Sequence, residues 1–326
     1  MKFSLSRRAV LSATALVASG VRAQSFPSKP LTLIVPYPAG GPADVNARLM
    51  LPVLRKTLGQ TIIVENVAGA SGGIGIQKLL NAPADGHHFM MGTPSDVILA
   101  PLALAAVKHK PEQLRLLGLA SRGPLMMVAG PHIKAKTLQE LVAEARKPGA
   151  RELTFGSIGP GSLYHLVGED FAASLKLRMT HVPYKGMAPA VQDLMGGMVD
   201  VAFLPSAGNL VDLVSSGKLR AYAVCDEQRL ARLPELPTMT QAIALKDFTY
   251  EIWGGMFVPR TVPLDVAQRL NDAVKEAQKD AEFRTQIEAS GSVAGSPVTL
   301  AEADRFLTEQ TERYRRLAQA VKLEPQ

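Results

Sequence analysis

The sequence predicts an α/β protein of two units, each a mostly parallel sheet flanked by helices. Three observations carry that prediction. The chain has 326 residues, enough for two hydrophobic cores. Short apolar runs alternate with longer amphipathic stretches, the rhythm of βαβ units. A strand, a glycine-rich loop and a helix also follow one another three times, at "LTLIVPYPAGGPADVNA", "TIIVENVAGASGGIGIQ" and "ELTFGSIGPGSLYHL". Two of these units fall in one half of the chain and the third in the other, so their loops are able to face a single cleft at the carboxyl ends of the strands.

The first 23 residues stand apart. "MKFSLSRRAVLSATALVASGVRAQ" has a basic start (Lys2, Arg7, Arg8), an apolar run and a small-residue site ending at Ala23. It reads as a cleaved secretory signal peptide, and "SRRAVL" resembles a twin-arginine export signal. No later apolar stretch approaches the length of a membrane span. The expected mature protein is therefore soluble and periplasmic.

In the mature chain, "LTLIVPY" reads as a strand and "DVNARLMLPVLRKTLG" as a helix ending at Gly59, with Pro52 expected to kink or shorten it. Asp44 is the expected N-cap of that helix. "TIIVEN", "HHFMMG" and "PLMMVAGP" follow as strands, with a helix at "GGIGIQKLLNA" and another at "KTLQELVAEARKPG", opened by a Thr137-x-x-Glu140 capping box. The second half continues with "RELTFGSIG", "MTHVPYKG", "VDVAFLP", "KLRAYAV" and "TYEIWGGMFVP" as strands, and with helices at "SLYHLVGEDFAASLK" and "PAVQDLMGG". Two long helices close the chain. One sets Val266, Leu270, Val274 and Ala277 on a common face. The other, opened by a Thr299-x-x-Glu302 box, gathers Phe306, Gln310, Tyr314, Leu317 and Val321.

Composition and motifs exclude several function classes. Hydrophobic residues make up 47% and charged residues 20%, an ordinary globular profile. The formal charge is +7, but the signal peptide holds four of the cations (Lys2, Arg7, Arg8, Arg22) and no acid, so the mature balance gives little support to nucleic-acid binding. A single cysteine, Cys225, permits no intrachain disulfide and reads as a buried thiol. The loop "PAGGPAD" lacks the Gly-Lys-Ser/Thr of a phosphate loop, and the glycines of "GSIGPG" have the wrong spacing for a dinucleotide fold. None of the six histidines forms a metal motif, so no cofactor and no metal are expected. Gly69-Ala70-Ser71-Gly72-Gly73 matches G-x-S-x-G, which would make Ser71 the nucleophile of a secreted hydrolase, with His165 or His181 downstream. That pattern is easily matched in a Gly/Ala-rich loop, and no HGGG-type oxyanion loop precedes it. What remains is anion binding. Helix starts offer free N–H groups and about half a positive charge, and glycines let an anion approach the backbone.

Several separated motifs then agree: "KPLTLIVPYPAGGPADVNAR", "GQTIIVENVAGASGGIG", "GSIGPGSLYHL", "HVPYKGMAPAVQDLMGG", "GKLRAYAV", "R-x-x-LPELPT" and "WGGMFVP". In this order they resemble the Bug-type extracytoplasmic solute receptors of tripartite tricarboxylate transporters, over essentially the whole mature chain. The resemblance implies a periplasmic-binding-protein (Venus flytrap) fold, with one lobe from residues 24–124 plus 253–326 and the other from 125–252. It implies a monomeric, non-enzymatic receptor that closes on a small carboxylate and delivers it to membrane permease subunits, or reports it to a signalling partner. The ligand residues it implies are Tyr37, Ala39, Gly40 and Asp44 in the first loop, Ala70 and Ser71 in the second, and Ser95. In the other lobe they are Ser157, Gly159, Gly161, Ser162 and His165, with Lys185 and Gly186 at the rim. Leu204-Pro205 stands where members often carry an acidic or amide residue, which points to a carboxylate with an apolar body in place of an amino acid.

Overall fold

The computed structural model describes residues 26–207 and 209–323. The expected signal peptide lies outside the described residues. Strand β1 (Leu31–Val35) sends Leu31, Leu33 and Val35 to one face, against Ala47, Met50 and Leu54 of helix α1 (Pro42–Leu58), and Ile34 to the other. Helix α1 starts with Pro42 after an N-cap at Gly41 and stops at Gly59, whose left-handed φ of 68° closes the last turn. Pro52 does not shorten it. Apolar residues on both sides of the exposed proline (Met50, Leu51, Leu54, Leu58) are buried, so tertiary packing carries the helix across the missing N–H.

Strands β2 (Ile62–Asn66) and β3 (His88–Gly92) flank β1 in parallel, with α2 (Gly73–Asn81) between them in the chain. A π turn over Ser95–Leu99 then runs into a helical turn at Ala100–Ala103. Strand β4 spans Leu114–Ala129, far longer than the "PLMMVAGP" strand read from the sequence. The second half comprises α3 (Leu138–Ala145), β5 (Leu153–Ser157), α4 (Leu163–Leu175), β6 (Met179–Pro183), α5 (Met187–Gly196), β7 (Val201–Pro205), α6 (Asn209–Ser215), β8 (Arg220–Val224) and α7 (Met239–Ile243). The chain returns through β9 (Glu251–Pro259), α8 (Leu264–Lys279), α9 (Ala281–Ala289), β10 (Val293–Ala294) and α10 (Leu300–Ala320).

The strands form one curled sheet in the order β2-β1-β3-β9-β4-β7-β5-β6, with β8 and β10 also on β4. Parallel pairing is confined to β2-β1-β3 and to β6-β5-β7, whereas β4 and β9 pair antiparallel. Strand β4 pairs with β9 from Leu114 to Pro124, then with β7 and β8 from Leu125 to Ala129. One hydrophobic cluster runs through both halves along β4, β9 and α10. A second lies under α1 and α8, and a third under α5 and α6.

Two details differ from the sequence reading. The buried stripe of α10 is Leu300, Ala303, Leu307, Thr311, Tyr314 and Ala318; of the residues expected to gather, only Tyr314 is fully buried. Gln310 beside it accepts the Trp253 indole N–H at 3.2 Å, so its position reflects a polar partner on β9. The Thr299 box closes in both directions. At Thr137 only half of the box forms, because the Glu140 carboxylate takes the N–H of Lys136 instead.

Candidate ligand-binding site

The carboxyl ends of β1, β2 and β3 bring three loops to one edge of the first half. In the first loop Gly40 has a φ of 79° and no neighbour within 4 Å where a side chain would stand. Asp44 is not the N-cap. It lies in the first turn of α1, 2% exposed, and its carboxylate accepts from the Gly40 N–H (2.9 Å), Arg48 Nε (2.9 Å) and Asn66 Nδ2 (3.0 Å). Burial alone would raise its pKa, but these donors outweigh it and hold the carboxyl below its usual range. The helix start thus already carries an anion of its own. Tyr37 and Asn66 fix the loop: Asn66 also donates to the Tyr37 carbonyl at 3.1 Å.

The second loop is strained. Gly69, Ala70, Ser71 and Gly72 all have positive φ, and Ala70 (48°) and Ser71 (50°) carry side chains in a region that disfavours them. Gly72 must lack a side chain, since a Cβ there would lie 2.4 Å from Asp96 Cβ. In the third loop Asp96 is fully buried and meets Tyr37 Oη at 2.6 Å and Thr93 Oγ1 at 2.9 Å. Burial raises the Asp96 carboxyl to about 7, against the opposing pull of donors on Tyr37 and Thr93. Tyr37 is raised well above the usual phenol range by its own burial and then by Asp96.

The second half presents the loop between β5 and α4. Ser162 caps α4, accepting from the His165 N–H at 3.3 Å and donating to the Gly159 carbonyl at 2.7 Å. Ser157, buried at the end of β5, accepts from the Gly159 N–H (3.0 Å) and meets His181 Nε2 at 2.6 Å. His165 Nδ1 accepts from the Gly161 N–H at 3.3 Å, which directs its protonated Nε2 toward Glu169, 3.5 Å away. Its ring stacks on His181 with centroids 4.0 Å apart. Burial and then the neighbouring His165 lower His181 to about 4, so it stays neutral at ordinary pH.

The two sets of loops touch. Ser71 Oγ donates to the Pro160 carbonyl at 2.6 Å, and the Leu163 N–H at the start of α4 donates to Ser95 Oγ at 3.0 Å. Gly161 lies where a Cβ would be 2.6 Å from Ala103 Cβ, and a Cβ on Gly186 would be 3.5 Å from Pro38 Cγ. Of the residues expected from the sequence, Ser71 and Ser95 therefore meet the loop that carries Gly159, Gly161 and Ser162, and Ser157 and His165 are bonded to that loop from within their own half. Tyr37 ties the first loop to the third through Thr93 and Asp96, and Asp44 bonds within the first half. Ala39, Gly40, Ala70 and Lys185 are exposed at the rim, beside the half-buried Gly186. A surface depression of ≈ 800 Å³ lies on the outer side of the second loop, lined by Ala70, Ile74, Lys78, His88 and Lys108.

Ser71 has no histidine partner, so the arrangement of a hydrolase is not assembled around it. Leu204 and Pro205 are the last residues of β7, buried within it, and the residue that follows the strand is Ser206, whose Oγ donates to the Pro124 carbonyl at 2.9 Å. Among the described residues no cluster of three or more His, Cys, Asp or Glu side chains is placed to hold a metal, and no helix is long and apolar enough to cross a membrane. Sequence reasoning missed Thr93, Asp96 and Pro160 as site residues, and it named His181 only as a possible partner of Ser71 in a hydrolase. Asp96 alone carried a signal, as an acid heading the apolar run "VILA".

Comparison with known proteins gives this geometry a context. Residues 46–323 match the profile of the tripartite tricarboxylate transporter family receptors. The chain is 31% identical to Protein BugT of Bordetella pertussis over 310 residues, covering 93% of this chain and 92% of that one. Among solved structures, a protein of R. palustris with adipate is similar with a TM-score of 0.85 and 27% identity, over 92% of this chain and 100% of that one. MatC from Rhodopseudomonas palustris with bound malate is similar with a TM-score of 0.83 and 28% identity, over 90% and 99%. A profile match over most of the chain, together with this likeness across both halves of the curled sheet, identifies the two-lobe fold of the periplasmic binding proteins, and the chain belongs to the tripartite tricarboxylate transporter receptor family.

Proposed function

We propose that this chain is a periplasmic receptor that captures a small carboxylate with an apolar body between its lobes and delivers it to the membrane subunits of a tripartite transporter. The observation that carries this reading is the seam itself: glycine-rich loops from opposite halves meet at Ser71–Pro160 and Ser95–Leu163. Such a seam is what a clamp needs, with one jaw on each side of a pair of crossover strands. We place the lobe boundary at residues 124/125 and 252/253. The exchange of partners along β4 after Pro124 supports the first of these. Adipate and malate in the related structures support a carboxylate ligand.

The ligand contacts in this reading are Tyr37, Ser71 and the exposed rim residues Ala39, Gly40 and Ala70 of one lobe and the Ser157–His165 loop with Lys185 and Gly186 of the other. Ala39 and Ala70 are exposed, which lets an anion approach their backbone at the rim. Charge-assisted hydrogen bonds contribute about 1.5–3 kcal/mol each, and micromolar affinity requires about 8 kcal/mol. A few such bonds, offset by the cost of closure, reach that range without an arginine clamp. Leu204 and Pro205, buried at the end of β7, supply no side-chain acceptor for an amino group, which favours an unsubstituted acid.

A thermal-shift screen of mono-, di- and tricarboxylates beside amino acids tests the reading. Stabilisation by aliphatic or aromatic acids, growing with concentration, is the expected result. Stabilisation only by glutamate or aspartate refutes the apolar-body assignment, and stabilisation by no acid refutes the receptor reading. Hydrolysis of ester substrates that is lost in Ser71→Ala would replace it with an enzyme.

A further inference from the structure

Tyr37 Oη, Thr93 Oγ1 and Asp96 Oδ2 form a triangle with sides of 2.6, 2.7 and 2.9 Å. Contacts this short between oxygens require a hydrogen on each side. The two hydroxyls bring two hydrogens, and an ionised carboxylate brings none. One side would then hold two lone pairs pressed together. A carboxylic acid supplies the third hydrogen, so that each oxygen donates once around the ring. The Thr93 N–H, at 3.0 Å from both carboxyl oxygens, and the Ser95 N–H, at 3.2 Å from Thr93 Oγ1, approach from outside the triangle and add nothing to its sides.

The surroundings favour the neutral form as well. Among the described residues Asp96 makes no ion pair within 4.0 Å. Tyr37 faces it from the first loop, and Gly72 of the second loop packs against its Cβ. From the segment after Ala103, His109 Nε2 donates to the main-chain carbonyl of Asp96 at 2.9 Å, and burial lowers the pKa of that ring, so it brings no charge. Tyr164 of α4 lies beyond Tyr37, with Tyr314 of α10 behind it, both held neutral by burial.

We propose that Asp96 is a specificity-determining residue that holds a proton in the receptive protein and so sets the charge of the ligand the cleft accepts. With the proton in place, the floor beneath Tyr37 is neutral and an anion settles on the first loop. With the proton lost, the floor is anionic, repels a carboxylate and suits an ammonium group. The inference rests on the carboxylate-receptor reading above. Its balance is simple: where free Asp96 is ionised, an incoming carboxylate is bound together with one proton from solvent, and release returns that proton. The carboxyl's position near 7 places the changeover where small shifts in pH matter.

Titration calorimetry with adipate on the mature protein, from about pH 6 to about pH 9 and in buffers of different ionisation enthalpy, tests this. Above about pH 7 the affinity falls by up to about tenfold per pH unit, with uptake of about one proton. Asp96→Asn removes the slope and binds adipate at least about tenfold more tightly than the parent at about pH 9. A flat parent profile with no proton uptake overturns the proposal. Infrared spectroscopy supplies a readout that needs no ligand: a protonated-carboxyl C=O band, present at about pH 6, absent in Asp96→Asn, and fading as pH rises through about 7. Should Asp96→Asn fail to fold, Tyr37→Phe serves, because losing a donor to the ionised form moves the fading to higher pH. Absence of the band overturns the assignment whatever adipate does. A titrating band without adipate binding at any pH upholds the proton and refutes the carboxylate-receptor reading instead.

Discussion

Ser71 offers a perturbation whose two halves separate a hydrogen bond from backbone strain. Its hydroxyl joins the lobes through the Pro160 carbonyl at 2.6 Å, and its backbone sits at φ 50°, ψ 33°. Ser71→Ala removes the bond and keeps the strain. A hydrogen bond of this kind contributes about 0.5–1.5 kcal/mol, and a carbonyl left without a donor in a closed seam raises the loss to about 1–3 kcal/mol. Ser71→Gly removes the same bond but also relieves a left-handed conformation that costs a residue with a Cβ about 1–2 kcal/mol. Glycine's added freedom in the unfolded chain takes back about 0.5–1 kcal/mol of that relief. Ser71→Gly should therefore be more stable than Ser71→Ala by about 0.5–1 kcal/mol, with both below the parent. Denaturant titration measures the order, and small-angle scattering without ligand reports whether losing the bond opens the lobes. Ser71→Ala matching the parent, or Ser71→Gly falling below Ser71→Ala, would refute the view that the bond holds a strained turn in place.

Two glycines with similar φ should respond differently. Gly161→Ala puts a Cβ 2.6 Å from Ala103 Cβ and should weaken carboxylate binding by more than about tenfold, about 1.4 kcal/mol, while Gly40→Ala meets nothing within 4 Å and should cost only about 1 kcal/mol of backbone strain; equal losses in ligand titrations would contradict this. Asp200, 3% exposed, accepts from both Arg151 guanidinium nitrogens at 2.7 Å, from the Thr154 N–H at 2.7 Å and from His132 Nε2 at 2.9 Å. Although burial acts to raise its pKa, these donors hold the carboxyl far below the usual range. Its contribution is therefore present above the unfolded value of about 3.9 and lost as pH falls below it. Asp200→Asn should destabilise the protein by about 2 kcal/mol near neutrality, a figure discounted because Arg151 is largely exposed. The gap between parent and variant should close in acid, and a gap that does not vary with pH in denaturant titrations would rule the mechanism out.

The parts of the fold legible in the sequence are those with local periodicity. Strand, glycine loop and helix at 31–58, 62–81 and 153–175 appear in the structure close to where alternation, capping residues and glycine punctuation put them. Strand β4 was only half legible. Its stretch "LRLLGLASRG" breaks alternation at Gly118 and Ser121, where the register with β9 shifts, and the strand it pairs with lies more than a hundred residues away. The α10 stripe was displaced by about one position because Gln310 answers to Trp253 and Thr311 bonds the Leu307 carbonyl, polar contacts that a hydrophobic pattern does not encode.

The same distinction governs the site. The glycine-rich loops announce backbone that bends into left-handed turns at helix starts, and from that an anion-binding edge follows. What the pattern does not announce is who occupies the amides. The Gly40 N–H is taken by Asp44 four residues on and the Gly159 N–H by Ser157 two residues back, both within reach of a local reading. Leu163, in contrast, is capped by Ser95 from 68 residues away, and Ser71 finds Pro160 across 89. Where such groups are buried, leaving one unpaired costs about 1–3 kcal/mol, and each lobe supplies an acceptor or donor to the other. In the proposed receptor, a ligand entering between the jaws competes with those internal partners or binds beside them. Selectivity in such a clamp then depends less on the glycine loops than on the charge beneath them. There the buried Asp44 carboxylate is already matched by Arg48, Asn66 and the Gly40 N–H, so the proton proposed on Asp96 is what sets the sign.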